Sequence, residues 1–217
     1  YGSNALAVAI YKISIEIRNK DVSQIRGAFD KTLMELLTEA RGVEATAPLS
    51  YGFFKETGIE LDKRFKRYFF ARIEKFIANN TKMNVKHSLY DLVQNTGSVN
   101  GFHIEHILAD NQENLDLFGG DEDKFKSERN RLGGLLLLKG KDNISSNNET
   151  YKKKLKTYAN TLYWNETLRE DTYTKKLDFS NMMTTYKLNF KPVADFGQSE
   201  LEERHKLLFD MASFIWK

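Results

Sequence analysis

The stretch KRFKRYFFARIEKFIA at residues 63–78 indicates the fold class of this 217-residue chain more clearly than any other segment. Its apolar residues recur at steps of three and four, the spacing that aligns side chains along one face of a helix. The residues on this stripe are Phe65, Phe69, Ile73, Phe76 and Ile77. We therefore predict an amphipathic helix that buries one face in a core.

The same spacing recurs on both sides of this segment. Before it, two amphipathic helices are predicted, separated near residues 19–23 and ended by Gly42. After it, a short helix is predicted over residues 87–93, and a closing helix lies at the C-terminus. With only two prolines, the chain favours helices over a many-turned β architecture. Residues 182–190 could form a strand or an irregular segment.

The segment at residues 42–58 carries Gly, Pro and Ser and lacks a period, which is typical of a loop. We place a domain boundary just after it. Residues 1–62 are predicted to be an N-terminal helical extension, and residues 63–217 the main domain. Because the chain opens at Tyr1 rather than Met, we interpret it as a fragment whose upstream neighbour has been removed.

Composition excludes several classes of protein. Hydrophobic residues make up 41% of the chain, with 15 Phe and 10 Tyr, so disorder is excluded. The absence of Cys excludes disulfides, thiolate zinc sites and cysteine nucleophiles, and it permits the cytoplasmic location that we expect. No apolar run approaches the roughly 18 residues that span a bilayer. The net charge of +3 is too weak to argue for a polyanionic partner by itself.

Two of the four histidines lie beside the acid Glu105 in the segment FHIEHILADN at residues 102–111. In an extended conformation, His103 and Glu105 point to one side and His106 to the other. A turn after Glu105 could bring carboxylate and imidazole around one ion. Such groups suit a divalent cation, with one imidazole left as a base near neutral pH. A purely structural cluster at a strand end is the alternative.

A second group of candidate residues follows the apolar run at residues 135–138, which we interpret as a short buried strand or turn. Asn143 and Asn147 are four residues apart, on one face of a helical turn, and lysines follow them. Since an amide oxygen can bind a hard cation and lysines can bind phosphates, a site for a metal and a phosphate is chemically coherent. The alternatives are an N-cap at Ser145 or Ser146 and a solvated lysine face.

In their order and spacing, these residues resemble the HNH-type (ββα-metal) nuclease domain at the C-terminus of GmrSD-type modification-dependent restriction enzymes. The similarity runs from about residue 63 to the end. The resemblance implies a mostly α-helical domain with an embedded small ββα-metal (HNH-like) element. The elements that carry it are Glu105-His106-Ile107, the glycine–leucine segment 133–138, Asn143, Asn147, Tyr151, Lys154, Arg204 and Trp216.

The resemblance also implies roles for individual residues. His106 would be the general base that takes a proton from water for attack on a phosphodiester, with Asn147 beside it in the catalytic site. Glu105 and Asn143 would hold one divalent ion, Mg²⁺ first and Mn²⁺ as the alternative, with His103 as a supporting ligand or a substrate contact. The lysines expected to contact DNA, with Lys154 also lining the site, are Lys139, Lys141, Lys152, Lys153 and Lys154.

The function so implied is that of a metal-dependent DNA endonuclease domain in a phage-defence (type IV-like) restriction protein. Its partners would be DNA, including modified phage DNA, and an upstream nucleotide-hydrolysing domain.

The sequence departs from the family pattern at two positions. Ala109 replaces a typical Pro, and Gly134 replaces the middle Asn that braces the loop carrying the base. Because misplacing a base by about an ångström can cost on the order of a hundredfold in rate, a catalytically degenerate DNA-binding module stays open as an alternative. The amphipathic N-terminal helices and the near-neutral charge leave a helical interaction domain open as another.

Overall fold

The computed structural model describes residues 3–55, 61–146, 148–175 and 177–216. In these ranges the protein is mostly helical and contains one two-stranded antiparallel sheet, which confirms the predicted helical class. The chain divides into two compact units, Tyr1–Phe53 and Phe54–Lys217. The boundary expected between residues 62 and 63 remains a prediction. Among the described helices, none combines the length and the apolar character needed to cross a membrane.

The first unit is built on two helices in contact, α1 (Ser3–Glu16) and α2 (Val22–Arg41). Gly42 ends α2 in the left-handed conformation, at φ +66°, and its N–H donates to the carbonyl of Thr38. Glycine adopts this conformation without steric cost. The helix end predicted at Gly42 is confirmed. A short helix, α3 (Tyr51–Lys55), interrupts the segment expected to be a loop.

The second unit is organised around α4 (Lys63–Asn80). Asp62 caps this helix, because its Oδ1 accepts a hydrogen bond from the N–H of Phe65 at 2.8 Å. Phe69, Phe70, Ile73, Ile77 and Ala78 are buried on its inner face. Phe65 was predicted to lie on the buried stripe but is 44% exposed, because it is in the first turn of the helix and beyond the packed core.

The remaining helices of this unit are short except for the last. Residues 182–186 belong to α12, so the segment left open by the sequence is partly helical. The helices are α5 (Leu89–Gln94), α6 (Gln112–Asp116), α7 (Glu122–Arg129), α8 (Gly140–Ser146), α9 (Tyr151–Thr157), α10 (Tyr163–Glu166), α11 (Asp171–Lys175), α12 (Leu177–Tyr186) and α13 (Gln198–Ile215).

The sheet pairs β1 (Phe102–His106) with β2 (Leu135–Lys139), and His106 lies opposite Leu135. All four leucines at residues 135–138 are at most 1% exposed. Both faces of β2 are therefore covered, which explains an apolar run without alternation. Helix α8 follows β2 directly and contacts both strands. The chain thus runs strand, strand, helix around the residues that the sequence singled out.

The carboxylate of Glu74 joins α4 to α10. It is 3% exposed and accepts hydrogen bonds from the N–H groups of Tyr163 and Trp164, each at 2.9 Å. Burial raises the pKa of Glu74 to about 7, and the two hydrogen bonds oppose this rise. The helix that supports the sheet is thus fixed to α10 by an acid that titrates near neutral pH.

Candidate active site

Side chains from several elements meet at the carboxyl end of β1. Their positions are set by hydrogen bonds and by charge, and they come from segments far apart in the chain. The residues are Glu105 and His106 at the end of β1, Arg129 and Asn130 at the end of α7, Lys154 on α9 and Lys66 on α4.

The imidazole of His106 is held by Asn130. The Nε2 atom of His106 lies 2.9 Å from the Oδ1 atom of Asn130. The amide nitrogen of Asn130 donates to the backbone carbonyl of Lys126 at 2.6 Å, which fixes the amide with its oxygen towards the ring. Nε2 therefore carries the proton, and Nδ1 is the acceptor nitrogen of the neutral ring.

The surroundings of His106 are electropositive. Burial, together with the charges of Arg129, Lys154 and Lys66, lowers the pKa of His106 to about 4, against the opposing effect of the Asn130 hydrogen bond. The ring is consequently neutral at pH 7 and able to accept a proton. The three positive charges near His106 also favour an anionic group at this position.

Arg129 stabilises the loop that leaves β1. Its Nε and Nη2 atoms donate to the backbone carbonyl of Leu108 at 3.3 and 3.1 Å, and its Nη1 atom lies 3.6 Å from a carboxylate oxygen of Asp110. The side chain is 13% exposed. A guanidinium in this position fixes the chain just beyond His106 and adds a cation next to it.

Glu105 and Lys154 form a buried ion pair. The Nζ atom of Lys154 donates to Oε1 of Glu105 at 2.5 Å and to the backbone carbonyl of His106 at 2.7 Å. The two side chains are 4% and 1% exposed. Burial raises the pKa of Glu105, and the charge of Lys154 opposes this rise. One ammonium group therefore holds both residues at the end of β1.

The lysines of α9 that were expected to contact DNA differ in exposure. Lys152 and Lys153 are exposed, and Lys152 lies 3.1 Å from a carboxylate oxygen of Asp195. Lys154 is buried because its face of α9 turns towards β1, so in this structure its ammonium contacts Glu105 and not the surface. The DNA contacts predicted for these lysines, and the site-lining role predicted for Lys154, remain predictions.

Lys139 and Lys141 lie at the other end of the sheet. They line a cavity of about 450 Å³ whose wall also contains His87, Asp142 and Asn160. Because Phe102 at the start of β1 lies opposite Lys139, and a strand rises about 3.3 Å per residue, this cavity lies roughly 13 Å from His106.

The predicted metal ligands lie on β1 and α8, two elements that contact each other. His103 is half-buried, and its Nε2 atom is 3.3 Å from the backbone carbonyl of Gly97. Asn143 is half-buried on α8, and Asn147 lies outside the described residues. Within the described ranges, no three His, Asp, Glu or Cys side chains form a group that could hold a metal ion.

Gly134 is packed too closely to carry a side chain. A Cβ atom there would lie 2.8 Å from the backbone carbonyl oxygen of Arg129 and 3.2 Å from a methyl group of Leu201. The carbonyl of Gly134 accepts from the N–H of Ile107 at 2.9 Å. This turn is therefore joined to the strand end through its backbone, and the side chain that reaches His106 comes from Asn130.

The loop at Ala109 is also fixed without the proline of the family pattern. The Nδ2 atom of Asn114 donates to the backbone carbonyl of Ala109 at 2.9 Å, and Ala109 is 2% exposed. A side-chain hydrogen bond and burial thus restrain the segment where a pyrrolidine ring would otherwise restrict the backbone.

The sequence did not identify Asn130, Arg129 or Lys66 as site residues. Asn130 and Arg129 reach the site from the end of α7, more than 20 residues beyond His106. Lys66 belongs to α4, for which the apolar stripe predicted only a packing role. The one sequence signal for Arg129 and Asn130 was their place just before the glycine turn. Their hydrogen bonds to the strand end, and the charge of Lys66 near His106, assign these residues to the site.

Comparison with known proteins identifies the family. A family model described as GmrSD restriction endonucleases, C-terminal domain, matches residues 54–211, most of the chain. Comparisons with curated proteins and with solved structures found no match. The family points to a restriction endonuclease function with DNA as the substrate. The chain, with His106 fixed at the end of β1, belongs to the C-terminal domain family of GmrSD restriction endonucleases.

Proposed function

We propose that residues 63–217 form an HNH-type, metal-dependent DNA endonuclease domain of a cytoplasmic, phage-defence (type IV-like) restriction protein. Residues 1–62 would connect this domain to an upstream nucleotide-hydrolysing domain, and modified phage DNA would be among its substrates. The observation that carries the proposal is the neutral imidazole of His106, held by Asn130 among three cations. The strand, strand, helix order of β1, β2 and α8 supports the HNH assignment.

In the proposed reaction, His106 acts as general base. Its Nδ1 atom takes a proton from a water molecule, the water oxygen forms a bond to phosphorus, and one phosphoester P–O bond breaks. Arg129, Lys66 and Lys154 make the surroundings favourable to the phosphodiester, because the reacting group is anionic. Asn147 is proposed to line the same site.

A divalent cation is part of the proposal, since nuclease domains commonly use one. Glu105, Asn143 and His103 offer carboxylate, amide and imidazole donors, which suit Mg²⁺ or Mn²⁺. The Glu105 carboxylate binds Lys154 and accepts a backbone hydrogen bond from His106, but its two oxygens have further lone pairs that could bind a metal ion. When bound, the ion would neutralise charge on the phosphate and on the leaving oxygen.

Four lysines that are exposed or half-buried would hold the DNA backbone. Lys152 and Lys153 on α9, and Lys139 and Lys141 beside the cavity, are the proposed phosphate contacts. Such contacts carry no sequence information and weaken as salt rises, because each one releases condensed counterions. We assign Lys154 to the ion pair with Glu105 instead.

The first test is plasmid nicking by the chain and by His106→Ala, each with Mg²⁺, with Mn²⁺ and with a chelator. We expect the parent to nick only with a metal, and the variant to be slower by about 10²- to 10⁴-fold, the usual contribution of a general base. Equal rates for the two proteins would exclude His106 as the base.

A second candidate function is DNA binding without cleavage. The observation in its favour is the Lys154 ammonium, which already neutralises Glu105 at the position proposed for a metal ligand. Salt-sensitive DNA binding by a parent protein that never nicks, with either metal, would favour this function over the first.

A further inference from the structure

We infer that Asn130 is a positioning residue that fixes both the orientation and the tautomer of His106. The inference rests on the proposed function for its catalytic meaning, although its structural part can be tested separately. It arises from two hydrogen bonds on one amide group, at opposite ends of that amide.

The first hydrogen bond sets the direction of the amide. Asn130 follows the last residue of α7, and its Nδ2 atom donates to the carbonyl of Lys126, one turn earlier, at 2.6 Å. Only the NH₂ end of an amide can donate, so Oδ1 must face away from that carbonyl. The amide cannot flip without placing its oxygen against the oxygen of Lys126.

The second hydrogen bond transfers this direction to the imidazole. Oδ1 of Asn130 can only accept, and it lies 2.9 Å from Nε2 of His106. Nε2 must therefore be the protonated nitrogen, and the lone pair that can take a proton is on Nδ1. The carbonyl of Lys126 on α7 thus determines which nitrogen of His106 is the base.

The strand end is held independently of this amide. Lys154 binds the backbone carbonyl of His106, and Gly134 accepts a hydrogen bond from the N–H of Ile107. Loss of the Asn130 side chain would therefore leave the backbone of β1 in place and release only the ring. The Nε2–H group of His106 would lose its acceptor, and the proton could move to Nδ1, the nitrogen that must accept a proton from water.

The experiment compares Asn130→Leu and Asn130→Asp with a matched control, Asn80→Leu. Asn80, at the far end of α4, makes the same kind of bridge. Its Nδ2 donates to the carbonyl of Phe76 at 2.8 Å, and its Oδ1 accepts from the hydroxyl of Tyr186 at 2.7 Å. Ring ¹⁵N NMR at neutral pH reports the tautomer of each histidine, with His106→Gln used to assign the signals. Plasmid nicking is measured on the same proteins.

We expect the parent, Asn130→Asp and Asn80→Leu to show the Nε2–H tautomer at His106, and Asn130→Leu to show a mixture. Nicking by Asn130→Leu should fall by roughly ten- to a hundredfold in kcat, with little change in KM, since a misplaced base acts on the chemical step. Asn130→Asp should recover part of this loss.

The inference is overturned if Asn130→Leu keeps the tautomer of the parent, or if Asn80→Leu changes the His106 signals equally. Should the parent not nick DNA at all, the NMR result still decides the positioning role, and only the proposed function fails.

Discussion

His106 is half-buried and His205 is fully buried, and the two sites use the imidazole differently. Burial lowers the pKa of each ring to about 4, so both are neutral at pH 7. In His205, Nδ1 accepts from the N–H of Gly133 at 3.1 Å, and Nε2 lies 3.2 Å from the carbonyl of Phe54. In His106, Nε2 is held by Asn130, and no described residue forms a hydrogen bond to Nδ1.

The difference shows that a lowered pKa does not by itself identify a catalytic histidine. Both nitrogens of His205 are used to tie α13 to the turn at Leu132–Gly134 and to Phe54, so this ring supports the structure. The ring of His106 keeps an acceptor nitrogen, so it can take a proton from a substrate. The hydrogen bonds to each nitrogen separate the two roles.

The largest expected effect comes from changing His106 to Gln. Nicking should fall by about 10²- to 10⁴-fold, because the base is lost, whereas the melting temperature should change little. Rates from plasmid assays and thermal unfolding would be measured on one preparation. A large loss of stability with intact cleavage would reverse the roles that we assign to the two histidines.

His205→Leu should have the opposite profile. We expect a loss of about 2 to 4 kcal/mol in the free energy of unfolding, because the buried N–H of Gly133 and the carbonyl of Phe54 lose their partners. Denaturant unfolding at pH 7 measures this change. Retained cleavage by the folded fraction would support the comparison, and a stability equal to that of the parent would contradict it.

The stability difference between the parent and His205→Leu should also depend on pH. The pKa of His205 is about 4 in the folded protein and about 6.5 in an unfolded chain. The unfolded state therefore binds the proton first as pH falls, and the contribution of His205 is present above pH 6.5 and lost towards pH 4. The difference in unfolding free energy should shrink by about 2 kcal/mol between pH 7 and pH 4.5. A constant difference would show that His205 does not titrate as we expect.

A smaller effect is expected for Glu74→Gln, which tests a buried group whose pKa is raised, whereas that of His205 is lowered. The pKa of Glu74 is raised to about 7, so the folded state holds the proton longer, and stability is lost as pH rises from about 4.5 to 7. The variant should remove this slope. It should cost about 1 kcal/mol at pH 5, since an amide has one acceptor oxygen and its NH₂ group cannot accept the second backbone hydrogen bond. Unfolding curves at pH 5 and pH 7 would show whether the slope disappears.

The sequence predicted those parts of the fold that depend on local spacing. The helix over residues 63–78 follows from apolar periodicity, and the helix end at Gly42 from a residue tolerant of positive φ. The apolar run at residues 135–138 predicted a buried strand or turn, and the structure has a strand there. The short helix α3 was missed, since five residues are too few to show a helical period.

The contacts of the site were harder to predict because they join distant segments. Three consecutive lysines on a helix point in directions about 100° apart, so a run such as residues 152–154 places one of them towards the core. Which lysine turns inward depends on the packing of α9 against β1. The role of Asn130 likewise requires the end of α7 to reach His106.

The connection between β1 and β2, residues 107–134, therefore has one section whose length is fixed by the site and one section whose length can vary. Its rigid section is α7, where one inserted residue between Phe125 and Asn130 would turn the amide by about 100° and advance it by about 1.5 Å, breaking its alignment with the ring. Its adjustable section is the pair Gly119 and Gly120, both at positive φ with open space around them. Insertions and deletions among relatives should accumulate at this glycine pair, while the length of α7 beyond Phe125 stays constant.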